Sequence, residues 1–148
     1  MAHFKQFAFV ALMAKEKKGP AIKLQVLFWP VTNAGFDNES YRLFGKDRFL
    51  TKSLMMWMWD YYTKDENQRK EIYASPLLAT TEQLRGLPPA LIRTAENDIL
   101  RDEAGVKVTS TRYNGMIHDW GLLNPLAMVP GTKSAMLQAA AEIKHALK

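Results

Sequence analysis

The apolar positions fall into segments with different periods. From Phe4 to Lys18, the residues Phe7, Val10, Ala11 and Ala14 recur at helical spacing, and Gly19-Pro20 is expected to end that helix. Ile22 to Trp29 is apolar, partly β-branched and stopped by Pro30. Its last four positions are continuously apolar, the pattern of a strand buried on both faces of a parallel sheet. Thr32 to Phe49 is rich in Asn, Asp, Gly and Ser and reads as a long loop. Thr51 is placed to cap a helix containing Leu54, Met55, Met56, Trp57, Met58, Trp59, Tyr61 and Tyr62, apolar nearly all round. Such a helix needs cover on several sides, either from a neighbouring element or, because Met and aromatic surfaces adapt to varied apolar ligands, from an acyl group. An irregular stretch punctuated by Ser75-Pro76 and Gly86-Leu87-Pro88-Pro89 follows. A second strand over Ala90–Ala95 leads to Glu96-Asn97-Asp98, and a third is predicted over Val106–Tyr113. After Pro130-Gly131-Thr132, a last helix from Lys133 to Leu147 is expected to turn Met136, Leu137, Ala140, Ile143 and Leu147 to the core. No internal repeat or low-complexity tract interrupts the series.

Composition agrees with one folded unit. The 148 residues are 47% hydrophobic and 24% charged, a balance that supports a core and lies far from that of disordered chains. The absence of cysteine excludes disulfides, thiolate metal sites and a cysteine nucleophile, and fits a cytoplasmic setting. The net charge of +5 is spread along the chain rather than clustered. Lys15, Lys17 and Lys18 sit where a helix end favours cations, so nucleic acid is not an expected partner. No apolar run approaches the roughly 20 residues that span a bilayer, and no signal peptide or anchor is expected.

Candidate chemistry lies just beyond the predicted strands. Open α/β sheets build their sites in the crevice outside the carboxyl ends of the strands, and both Asp98 and His118 follow a strand there. Taken alone, the pair reads either as a turn residue and a loop histidine or as a carboxylate steadying a general base. The neighbouring motifs favour the second reading. Gln25–Thr32, Ala74-Ser75-Pro76-Leu77, Gly86-Leu87-Pro88-Pro89-Ala90, Asp98-Ile99-Leu100-Arg101-Asp102-Glu103 and Tyr113-Asn114-Gly115-Met116-Ile117-His118-Asp119-Trp120 together resemble the hormone-sensitive-lipase-like branch of the α/β-hydrolases, over roughly residues 8 to 148.

The resemblance implies a fold of class α/β: a partial hydrolase sheet of mainly parallel strands with flanking helices. It implies one truncated domain over 1–148, with residues 33–85 as a cap-like insertion. It makes Asp98 the acid that orients the base His118, in the order serine, acid, histidine along the chain. Asp102 and Glu103 correspond to structural carboxylates, and His3 and His145 are expected at the surface. The implied activity is hydrolysis of short or medium acyl esters by esterases and lipases, with no metal or organic cofactor.

Two departures stand out. No G-x-S-x-G occurs, the family serine would fall near Met1 or just before it, and the glycine-rich oxyanion loop is absent. Ser40, Ser53, Ser75, Ser110 and Ser134 lack the elbow context, so this chain alone is expected to be weakly active or inactive. The second departure is that only residues 101–105 separate Leu100 from Val106, whereas a parallel return needs a dozen or more. The strands are then expected to pair differently, to swap between chains, or to hold Asp98 and His118 too far apart. A bond within about 3.2 Å between the two would overturn that last expectation. Half a sheet also presents an open edge, so a self-associating interaction protein without catalysis is the alternative to a truncated esterase.

Overall fold

A computed structural model of the chain describes residues 7–103 and 109–148. Helix α1 (Phe7–Glu16) buries Ala11 and Leu12 and packs on strand β1 (Gln25–Phe28). The helix closes one residue earlier than its glycine suggests. Lys18 takes the left-handed conformation (φ 49°), and Gly19 N then donates back to Ala14 O at 2.8 Å, the paired-carbonyl closure of a helix end.

Four short helices separate β1 from the second strand: α2 (Glu39–Phe44), α3 (Lys52–Tyr62), α4 (Glu66–Lys70) and α5 (Thr81–Leu84). The stretch read as a loop over 32–49 contains α2. The Asn38 side chain caps that helix by accepting from Tyr41 N at 3.0 Å, and Ser40 and Tyr41 are buried. Thr51 caps α3 as expected, accepting from Leu54 N at 3.2 Å. The expectation that α3 needs cover on several sides is met on one side among the described residues. Met55 and Trp59 enter a cluster with Val31, Tyr41, Leu50, Ala74, Ile99 and Leu100, while Trp57 and Tyr61 stand 57% and 69% exposed.

Strands β2 (Ala90–Asn97) and β3 (Thr109–Ile117) complete a three-stranded parallel sheet in the order β1-β2-β3, with Gln25 beside Ala90 and Leu91 beside Thr109. The parallel β2–β3 pairing corrects the expectation drawn from the short connection. After Asp98 the connection passes through a 3-10 turn at Arg101–Glu103, and the described part of the ladder sets Leu91 beside Thr109. The predicted start of the third strand, Val106–Val108, lies outside the described residues, as does His3.

Helix α6 (Pro130–Ala146) closes the chain with its face rotated from the one expected. Thr132, Ala135 and Ala139 are buried, whereas Leu137 and Leu147 are 62% and 68% exposed and Met136 and Ile143 also reach solvent. Ala135 lies in a cluster with Trp29, Trp120 and Ala95. Small side chains let the helix approach those two indoles closely, so fit overrides side-chain size in choosing the buried face.

Candidate active site

β2 ends at Asn97, and the next residue, Asp98, is 2% exposed. Its carboxylate is held from two directions. Oδ1 accepts from Leu100 N at 3.0 Å, a side-chain turn that fixes the rotamer, and Oδ2 lies 2.8 Å from His118 Nδ1. The expected weakness of this pair is thereby overturned, since the separation is that of a charge-assisted hydrogen bond. An ionised carboxylate only accepts, so Nδ1 carries the proton, and in the neutral ring Nε2 keeps its lone pair. Nε2 lies 3.5 Å from Asp119 Oδ1, and the side chain of His118 is mostly buried.

The alignment of the pair depends on a break in register. Ala95 stands beside Tyr113 and Asn97 beside Ile117, so the offset between partners grows from 18 (113 − 95) to 20 (117 − 97). Those extra residues form a bulge that advances β3 and brings His118 to the level of Asp98. Gly115 supplies the left-handed turn (φ 73°), and its amide donates to Glu96 Oε2 at 2.7 Å, pinning the bulge to β2. Neither contact was anticipated from sequence. The available signal was Asn114-Gly115 inside a strand pattern, a pair that marks turns and bulges.

An aromatic cluster lies beside the imidazole. Trp29, at the end of β1 with φ 46°, meets Trp120 edge-on at 4.6 Å between centroids and lies 6.1 Å from His118. Trp120 is fully buried and also stacks obliquely on Tyr113 at 5.1 Å. A Cβ at Gly121 would sit 2.9 Å from Met136 Cε and 3.0 Å from the Trp29 ring, so a side chain there would have to push both aside.

The other candidates fall away from this centre. Asp102 receives Arg101 Nε and Nη2 at 2.7 and 2.9 Å. The hydrogen bond from Arg101 holds the Asp102 carboxyl below its ordinary range, and the reciprocal bond raises the Arg101 guanidinium. The Glu103 side chain lies outside the described residues, and His145 is exposed in the last turn of α6. Ser40 Oγ donates to Ile99 O. Ser75 Oγ donates to Arg69 O at 2.6 Å and accepts from Ala34 N at 2.9 Å. Ser53 lies near Thr51 Oγ1, while Ser110 and Ser134 are exposed on β3 and α6. Among the described residues no serine hydroxyl is hydrogen-bonded to His118, and no group of three or more His, Asp or Glu is placed to hold a metal ion. An apolar hollow beside α3, lined by Phe9, Val31, Met55, Trp59, Tyr62 and Tyr73, does not include Asp98 or His118.

Comparison with known proteins decides the family. The family model described as alpha/beta hydrolase fold matches residues 7–122. The chain belongs to that family. A thermostable esterase from Pseudomonas putida superposes with a TM-score of 0.91 at 56% identity, over 95% of this chain and 47% of that one. A Rhizomucor miehei esterase gives a TM-score of 0.85 at 38% identity, over 95% of this chain and 46% of its own. Among curated relatives, an alpha/beta hydrolase of Acanthamoeba polyphaga mimivirus is 37% identical over 146 residues, 92% of this chain and 42% of the relative. The carboxylesterase NlhH of Mycobacterium tuberculosis is 29% identical over 95% of this chain and 47% of its own length. The chain thus spans less than half the length of these relatives. Among the described residues no helix is long and apolar enough to cross a membrane.

Proposed function

We propose that Asp98 and His118 are the acid and general base of a carboxylic-ester hydrolase whose complete relatives act on short or medium acyl esters through a Ser-His-Asp mechanism. The observation that carries this reading is the 2.8 Å contact between His118 Nδ1 and Asp98 Oδ2 at the carboxyl ends of adjacent parallel strands. In that mechanism Nε2 takes the hydroxyl proton as the nucleophile attacks the ester carbonyl and then returns it to the departing alcohol. Asp98 holds the tautomer and steadies the imidazolium between those steps. Burial of Asp98 and of most of the His118 side chain strengthens the electrostatics of the pair. Residues 33–85 form the cap-like insertion of this unit.

The nucleophile is the missing partner. None of the five serines occupies a G-x-S-x-G turn, and an isolated carboxylate and imidazole cannot form an acyl-serine intermediate. The isolated chain is therefore weakly active or inactive. Turnover of p-nitrophenyl acetate and butyrate by this chain, compared with His118→Ala, tests the reading. The expected result is hydrolysis close to that of the variant. Rapid hydrolysis lost with His118 would place a working nucleophile among these 148 residues and overturn the assignment of its absence.

A further inference from the structure

Arg93 of β2 is the one buried basic side chain among the described residues. A guanidinium keeps its charge in any protein environment, so it cannot escape the cost of leaving water by releasing a proton. Its Cζ lies 5.2 Å from the Phe28 ring centroid and 5.7 Å from that of Tyr113, and Nη1 donates to Tyr113 Oη at 2.6 Å. Tyr113 Oη donates in turn to Gln138 Oε1 of α6 at 3.1 Å. Two rings and a phenol oxygen compensate part of the charge. None of the ion pairs among the described residues includes Arg93. Nε and Nη2, both buried, have no hydrogen-bond partner there.

The two open donors define a ligand shape. Nε–H and Nη2–H run parallel along one edge of the planar guanidinium, the fork that a two-oxygen anion accepts side by side. Arg101 uses that same edge on Asp102, with Nε to Oδ1 at 2.7 Å and Nη2 to Oδ2 at 2.9 Å. Water can satisfy single donors but brings no charge to balance a buried cation, whereas an anion does both. No second basic side chain is buried among the described residues, so one negative charge matches the site and a phosphate dianion would leave one charge unbalanced. Phe28, Tyr113 and Gln138 are only half-buried, and the turn of one side chain admits an ion of few atoms.

We propose that the Nε–Nη2 edge of Arg93 is a binding site for the carboxylate of a small organic acid, with acetate as its simplest occupant. Arg93, Tyr113 and Gln138 share no printed hydrogen bond with Asp98 or His118, so binding is measured without turnover and does not depend on the hydrolase reading. An occupied fork steadies α6 on the sheet, because Tyr113 and Gln138 already link β3 to that helix.

Isotope-labelled protein is titrated at about pH 7 with sodium acetate and, separately, with sodium chloride at equal ionic strength. The Arg93 Nε–H resonance is followed by NMR and unfolding by circular dichroism. Acetate is expected to move that resonance downfield to saturation. It is also expected to raise the melting temperature by roughly 3–6 °C at about ten times the half-saturating concentration, while chloride does neither. Arg93→Met keeps a side chain of similar length without the fork and is expected to lose the acetate-dependent rise. Gln138→Glu sets a carboxylate beside Tyr113 Oη and is expected to weaken acetate roughly tenfold or more by like-charge repulsion. That second variant decides the question where Arg93→Met fails to fold. A resonance that stays still, leaving the fork to water, would overturn the proposal. So would chloride acting as strongly as acetate, or an acetate affinity untouched by Gln138→Glu. Light scattering on the same samples tests the remaining source of a carboxylate. A dimer whose Arg93 resonance is already shifted without acetate would give the fork to a side chain of a second copy and overturn the free-ligand site.

Discussion

The carboxyl ends of β2 and β3 and the outer flanks of the molecule treat similar side chains in opposite ways. At the strand ends Trp120 is fully buried and Asp98 accepts two hydrogen bonds. On the flanks Trp57 and Tyr61 of α3 and Leu137 of α6 stand in water. The difference shows that two adjacent strands suffice to hold the Asp98–His118 hydrogen bond, because its supports are local: a side-chain turn, a bulge and the Trp29 ring beside the imidazole. The flanks have no such economy, since a helix face is defined only by what lies against it.

The sharpest way to break this comparison is to truncate one tryptophan of each kind. Trp120→Ala removes a fully buried indole that packs on Trp29 and Tyr113, and should cost about 3–5 kcal/mol of stability. Trp57→Ala on the exposed face of α3 should change stability by about 0.5 kcal/mol or less. Urea unfolding followed by circular dichroism measures both. Equal losses would show that the flank is packed in solution and that the contrast between the two regions is false.

A smaller effect is expected at the bulge. Open space surrounds the position where a Gly115 Cβ would sit, so Gly115→Ala meets no clash, but it places a side chain at φ 73°. The expected loss is about 1–2 kcal/mol. If the register break is what brings His118 to Asp98, the variant should also weaken the His118 Nδ1 hydrogen bond, visible as an upfield shift of the ring N–H proton in NMR. Loss of stability with that resonance unmoved would mean that the bulge supports the strand and not the pair.

Legibility followed the range of the interactions. Thr51 as a cap and Asp98 and His118 beyond strand ends were readable because each depends on a few neighbouring residues. The faces of α3 and α6 were misread because apolar spacing says which positions can be buried, while the close approach of Ala135 to Trp29 and Trp120 decides which are. The Asp98–His118 distance was doubted for a related reason. Counting residues between apparent strands took no account of the register break between Ala95 and Asn97, which carries His118 to the level of Asp98. Glu96 was passed over because its task, holding the Gly115 amide, exists only once the register has shifted.

The smallest effect separates the two aspartates of the Asp98-Ile99-Leu100-Arg101-Asp102 run. Asp98 faces an imidazole, and Asp102 faces the Arg101 guanidinium, whose other neighbours are Glu39 at 4.0 Å and the Phe44 ring. The hydrogen bond from Arg101 lowers the Asp102 carboxyl relative to its unfolded value of 3.8, so the folded state binds that proton more weakly than the unfolded chain does. The pair therefore contributes stability above pH 3.8, and that contribution fades as acid protonates Asp102 through its lower folded value. Asp102→Asn should reduce stability at pH 7 by about 1 kcal/mol or less, given the partial exposure of the pair, and should flatten the decline between about pH 5 and 2. Thermal melts of both proteins across that interval measure it. Parallel acid limbs would assign the decline to other carboxylates and leave Asp102 as a packing residue of the turn.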